Sequence, residues 1–197
     1  MHTPEDIAPD YLNLPLGEFL ERVASDSPAP GGGSVAAIAV ALAAGLAGMA
    51  ARISSERLAD APDLAGLADA VRLRVAPLAG ADAESYARVL DAYREPDPET
   101  RTARTRDALS GAADVPLEVA EAGNEVVGIA SRLAEEGNPN LRGDALAAVL
   151  LAGAGVRAAA KLVQINLSTA NVDDDRVRRA KSLVARAGAT ALEEEDG

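Results

Sequence analysis

Asp82 is the side chain best placed to do chemistry. Between Leu64 and Tyr93 apolar residues recur every three or four positions, at Leu64, Leu67, Val71, Val75, Leu78, Tyr86, Val89 and Tyr93, and Asp82 fills the one missing step. A carboxylate on the buried face of a helix is costly unless it is hydrogen-bonded, paired or neutral. Burial also raises its pKa toward the range useful for proton transfer. A structural Asp, bonded to a helix terminus or to an Arg of a neighbouring helix, fits the pattern equally well. Glu84 and Asp91 fall off the stripe and read as solvated; Tyr86 stands on the stripe one turn beyond Asp82.

A second candidate is the turn Pro28-Ala29-Pro30-Gly31-Gly32-Gly33-Ser34. Gly31, Gly32 and Gly33 can take dihedrals closed to other residues and leave no Cβ in a ligand's way. They run into a helix start, where free N–H groups and the positive dipole end can hold an anion. A tight connector with Gly33 or Ser34 as N-cap is the commoner use of such a turn, and both readings stand. Three further residues interrupt a later alanine-rich stretch. Asp144 lies near its start, where acidic residues stabilise any first turn. Asn166 lies near its end, as a cap or a ligand contact, and buried Asn needs partners. Arg157 must meet a carboxylate, a carbonyl or an anionic ligand.

The elements that position these residues are helices. The 197 residues are 48% hydrophobic but only 2% aromatic, so the core is built from Ala, Leu, Val and Ile, and alanine at this density favours helix. We expect an all-α, compact bundle of about six helices, near 16–25, 34–55, 60–94, 99–136, 141–167 and 175–192. Two of them are expected to be kinked, by Pro77 and by Pro116. Residues 1–13 read as a flexible arm, 14–192 as one domain and 193–197 as an acidic tail. The segment 34–51 has no charged residue, but Ala and Gly dominate it and no basic or aromatic anchor precedes it, so it reads as the central helix of a soluble protein. Small residues on two helices point to close contacts and to a homodimer or higher homo-oligomer.

Net charge is −12 and the isoelectric point about 4.5, which disfavours nucleic acid and anionic membranes as partners. With no cysteine and a single histidine, His2, thiolate chemistry, a His triad and a His- or Cys-based metal site are not available. No covalently bound cofactor or metal is expected. The absence of a basic and apolar leader is read as a cytoplasmic location.

The ordered set 28–37, Asp-Ala-Glu-Ser-Tyr (82–86), Val-Pro-Leu (115–117), Glu-Gly-Asn-Pro-Asn (136–140), Asp144 and Ile-Asn-Leu (165–167) resembles the cyclodeaminase domain of formiminotransferase-cyclodeaminase. It also resembles stand-alone methenyltetrahydrofolate cyclohydrolases, over about 14–190. The resemblance implies an all-helical, self-associating fold and a tetrahydrofolate derivative as substrate. It also implies either ring closure with release of ammonia or opening of a methenyl bridge by water. On that basis Asp82 and Asp144 become catalytic candidates, and Gly31 to Ser34, Tyr86, Arg157 and Asn166 substrate-binding ones. The sequence departs from the family at three places. Glu95-Pro96-Asp97 stands where Leu-Pro-Lys is common, Leu162 where Asn is usual, and Gln164 at a commonly basic position. A non-catalytic relative that uses the bundle for binding or assembly is the alternative, and an Arg near Asp97, such as Arg94 or Arg101, would argue against it.

Overall fold

The computed structural model describes residues 10–193, with side chains to residue 189. Eight α-helices follow in order: α1 (Leu16–Val23), α2 (Gly32–Ile53), α3 (Ala61–Val75), α4 (Leu78–Tyr93), α5 (Pro98–Gly111), α6 (Asp114–Glu136), α7 (Arg142–Thr169) and α8 (Asp175–Glu193). Short 3-10 turns cover Tyr11–Asn13 and Pro139–Leu141. The six expected helical units are all present. The two with an internal proline are divided rather than bent, because Pro77 stands at the N-cap of α4 and Pro116 in the first turn of α6. A proline there forfeits no helical hydrogen bond, so each opens a new helix.

The apolar α2 is wrapped by α3, α6 and α7. The closest crossing needs bare backbone on both neighbours. A Cβ on Gly123 of α6 would fall 2.7 Å from Val156, and one on Gly155 of α7 would fall 2.5 Å from Val40 of α2. Small residues thus let three helices share one line of contact. By length and composition alone, α2 and the Pro139–Thr169 stretch could each cross a bilayer. Here α2 instead puts twelve of its residues into the protein core.

Two local expectations change. Tyr11, placed in the loose arm, is buried and meets Phe19 edge-on, with ring centroids 5.8 Å apart. On α1, whose spacing offers Phe19, Leu20 and Val23 as an apolar face, only Phe19 is buried, while Leu20 and Val23 face outward. Residues 1–9 and the acidic residues 194–197 lie outside the described part.

The motif at 136–140 closes the far end of α2. Ser54 Oγ donates to Ala50 O at 2.7 Å and accepts from Asn138 N–H at 2.9 Å, which docks the end of α6 on the end of α2.

Candidate active site

The site forms where α2 begins. Its N-cap is Gly31, which has no side chain to offer the first N–H groups of the helix. The missing acceptor comes from α4: Ser34 N–H donates to Asp82 Oδ2 at 2.9 Å. Asp82 therefore caps a helix other than its own, with the charge sign the helix start favours. Ser34 is fully buried and its Oγ donates to Ala79 O at 2.7 Å, tying α2 to α4 through a second bond. Ser34 Oγ also lies 3.3 Å from Asp82 Oδ2.

Burial pushes the Asp82 carboxyl above its ordinary range. The Ser34 N–H opposes that rise, and the Ser34 hydroxyl opposes it less. Its single proton is already committed to Ala79 by the shorter bond. The outcome is a carboxyl group held at a fixed place with its proton bound more tightly than in water. Tyr11 stands close enough to feel it: burial raises the Tyr11 phenol, Arg22 opposes, and Asp82 adds to the rise.

The glycines act by absence of side chain rather than by dihedral. None among the described residues has positive φ. A Cβ on Gly33 would lie 2.0 Å from Asp82 Oδ1 and 2.6 Å from Oδ2. At Gly31 and Gly32 a Cβ would meet only ordinary contacts, at 3.7 and 4.0 Å. Gly33 and Ser34, expected as possible N-caps, lie inside the helix, and the anion held by Ser34 N–H at this helix start is the protein's own Asp82.

Asp82 lies in the wall of a cavity of about 330 Å³. Gly31, Gly32, Gly33 and Tyr86 line it, as the sequence suggested, together with Asn166 from α7. Asn166 Nδ2 donates to Ala112 O at 2.8 Å, capping the end of α5 instead of its own helix, which leaves Oδ1 as its other polar atom. Ser85 adds one more polar side chain, and the rest of the wall is apolar: Pro28 and Ala29, Ala83, Ala112, Pro116, and Leu162 and Ile165. Leu162 and Pro116 were not singled out as site residues, although 115–117 and 165–167 stood among the motifs quoted.

Two candidates are not brought to this cavity. Asp144 occupies the first turn of α7, about 33 Å along the axis from Asn166 at 1.5 Å per residue. Arg157 precedes Leu162 by five residues, which turns it roughly 140° around the helix. It lines the cleft between α7 and α8 with Lys161, Gln164 and Lys181. The departure at Glu95-Pro96-Asp97 is a helix start: Asp97 Oδ2 accepts from Thr100 N–H at 2.8 Å and Glu95 pairs with Arg104.

The formiminotransferase-cyclodeaminase family profile matches residues 15–186. Methenyltetrahydrofolate cyclohydrolase of Methylorubrum extorquens is 34% identical over 191 residues, covering 90% of this chain and 92% of that protein. Formimidoyltransferase-cyclodeaminase of Rattus norvegicus is 34% identical over 89% of this chain, which spans 35% of that longer protein. The crystal structure of formiminotetrahydrofolate cyclodeaminase from Thermotoga maritima matches with a TM-score of 0.78 at 28% identity, covering 92% of each chain. A profile that takes in α1 through most of α8, and a relative matched nearly end to end, make this chain a member of the formiminotransferase-cyclodeaminase family.

Proposed function

We propose that the Asp82 cavity binds a tetrahydrofolate derivative and works on its one-carbon bridge, and that the reaction is opening of methenyltetrahydrofolate by water. The observation behind this is a carboxyl group with a raised pKa, fixed by Ser34 in a largely apolar cavity. The methenyl bridge is a delocalised cation, which ionised Asp82 stabilises. Asp82 takes a proton from water as its oxygen bonds to the bridge carbon. It returns that proton to the departing nitrogen as the carbon–nitrogen bond breaks, while the remaining hydroxyl proton leaves to solvent and the formyl carbonyl forms. A carboxyl whose pKa is drawn toward neutrality serves both steps. The higher identity to the cyclohydrolase, 34% against 28% for the cyclodeaminase structure, favours this direction. Ammonia-releasing closure is the second reading, favoured by the fold shared with the Thermotoga maritima cyclodeaminase; there protonated Asp82 donates to the leaving amine. Loss of methenyl absorbance above background, reduced about 100-fold or more in Asp82→Asn, is the expected result. Wild-type rates in Asp82→Asn, or no turnover in either direction, would overturn the proposal.

The working unit we propose is a homodimer. Val35, Leu42, Met49 and Ile53 lie on one exposed stripe of α2, at spacings that keep them on one seam. Leu42 is 61% exposed. A second copy of the same stripe is the partner whose chemistry fits an uncharged face of this kind.

A further inference from the structure

A second cavity, of about 480 Å³, lies beside the first. Its lining includes Tyr93, Arg101, Thr105, Arg106, Thr169 and Asn171, and no carboxylate. In a chain of net charge −12, two guanidiniums facing a recess without an acid are an anion site in composition. Other arginines near it are neutralised: Arg94 pairs with Asp91 and Arg104 with Glu95. Arg101 gives one N–H to Glu95 O at 3.1 Å and feels the Glu95 carboxylate, whose hydrogen bond goes to Arg104, so the rest of its fork is left for a ligand. Arg106 has no partner among the described residues. The Thr105 hydroxyl is buried without a protein acceptor or donor. The positive φ of Asn171 (52°) belongs to the stop of α7, where Val172 N–H reaches Leu167 O and Asn171 N–H reaches Ser168 O. Carbonyls at that end are thus satisfied and oppose an anion less.

The two cavities are in line. Tyr86 lines the first and Tyr93 the second; seven residues apart on α4, they share a face and stand about 10 Å from each other. Asn166 and Thr169, about one turn apart on α7, repeat the relation. The other basic cleft, with Lys161 and Lys181, lies on the far side of α7.

We infer that the Arg101–Arg106 cavity receives the glutamate tail of the folate whose bridge lies at Asp82, an inference that rests on the folate reading above. The first cavity is at the small end of ligand pockets and holds rings and bridge, so the tail must leave it. The direction that offers carboxylate partners along the same face is toward Arg101 and Arg106.

Calorimetric titration with tetrahydropteroylglutamate and with tail-less tetrahydropteroate tests this. Wild type is expected to bind the tail-bearing form at least about tenfold more tightly. Arg101→Ala/Arg106→Ala is expected to lose that preference, with KM for the glutamate form raised and kcat kept within about twofold. Arg106→Gln, which removes a side chain with no partner to lose, is expected to lose part of it in a protein that melts like wild type. Lys161→Ala/Lys181→Ala is expected to keep it. Equal affinity of wild type for both forms, retention of the preference in the arginine variants, or its loss in the lysine variant overturns the inference and leaves the Asp82 reading intact. Failure of both forms to bind overturns both.

Discussion

Replacing Gly33 by alanine puts a methyl group where the Asp82 carboxylate now lies. The new Cβ would fall 2.0 Å from Oδ1, and reaching even a tight contact of 3.0 Å requires a retreat of about 1 Å. The Ser34 N–H bond, now 2.9 Å, does not survive such a retreat. Three effects set the size of the response. Forcing a methyl into a filled site costs about 1–3 kcal/mol. Losing a hydrogen bond to a charged group costs about 1.5–3 kcal/mol, taken at the low end because Asp82 is only partly buried. Alanine in place of glycine in a helix returns up to about 1 kcal/mol. The balance is a loss of about 2–4 kcal/mol, or roughly 5–15 °C in Tm for a chain of this size. A reacting group misplaced by 1 Å also lowers turnover by about 100-fold.

Gly32→Ala supplies the comparison. Its Cβ meets only Leu162 at 4.0 Å, so thermal unfolding should move little and in the upward direction. Adding Gly33→Ala to Asp82→Ala should cost almost nothing, since the group it strikes is gone. Equal melting temperatures and rates for Gly33→Ala and wild type would show that Asp82 is not seated against α2, and the site as described would fall.

Three other outcomes follow from the same geometry. Because burial raises Asp82, the native state keeps that proton at pH values where the unfolded chain has lost it; its contribution to stability is full below the unfolded pKa and fades as pH rises through the folded one. Asp82→Asn should therefore unfold at the same or a higher temperature than wild type at neutral pH, with the difference shrinking toward acid, as calorimetry at several pH values would show. Asp144→Asn should leave turnover within about twofold, since that carboxylate sits about 33 Å down α7; a loss as large as that of Asp82→Asn would mean that another subunit brings the start of α7 to the cavity. Leu42→Glu should shift sedimentation from the proposed dimer to monomer without lowering helix content, and an unchanged sedimentation coefficient would remove the α2 stripe as the interface.

Much of this molecule could be read from composition and spacing, and the exceptions have physical causes. Alanine content and the scarcity of aromatic residues gave the helical class without reference to any contact. Pro77 and Pro116 misled on continuity because a proline at a helix start costs nothing, so an inferred kink and a new helix look alike in sequence. The interrupted stripe found Asp82 although α3 and α4 are separate, since the side chain at that step still faces α2. Arg157 and Asp144 lie away from this cavity for different reasons: Arg157 is on another face of α7, and Asp144 is at the far end of that helix, a distance that a resemblance in residue order does not show. Tyr11 was lost because a three-residue turn carries no period at all.

The structural use of Asp82 and the catalytic use proposed for it, open alternatives in the sequence, fit one arrangement. Gly31 cannot cap α2, so the helix start attracts an acceptor from elsewhere; Asp82 supplies it and is thereby fixed to within a hydrogen bond. The bare backbone at Gly33 that lets the carboxylate approach also leaves space beside it for a ligand. Burial then raises the proton affinity that capping alone would lower. The quoted motifs divide accordingly. Those at 28–37, 82–86, 115–117 and 165–167 contribute to this cavity, whereas 136–140 fastens the opposite end of α2 through Ser54. One apolar helix is thus held at its far end by backbone and hydroxyl bonds and at its near end by the acid proposed to do the chemistry. The position of that acid is set by the same bonds that hold α2 in the bundle.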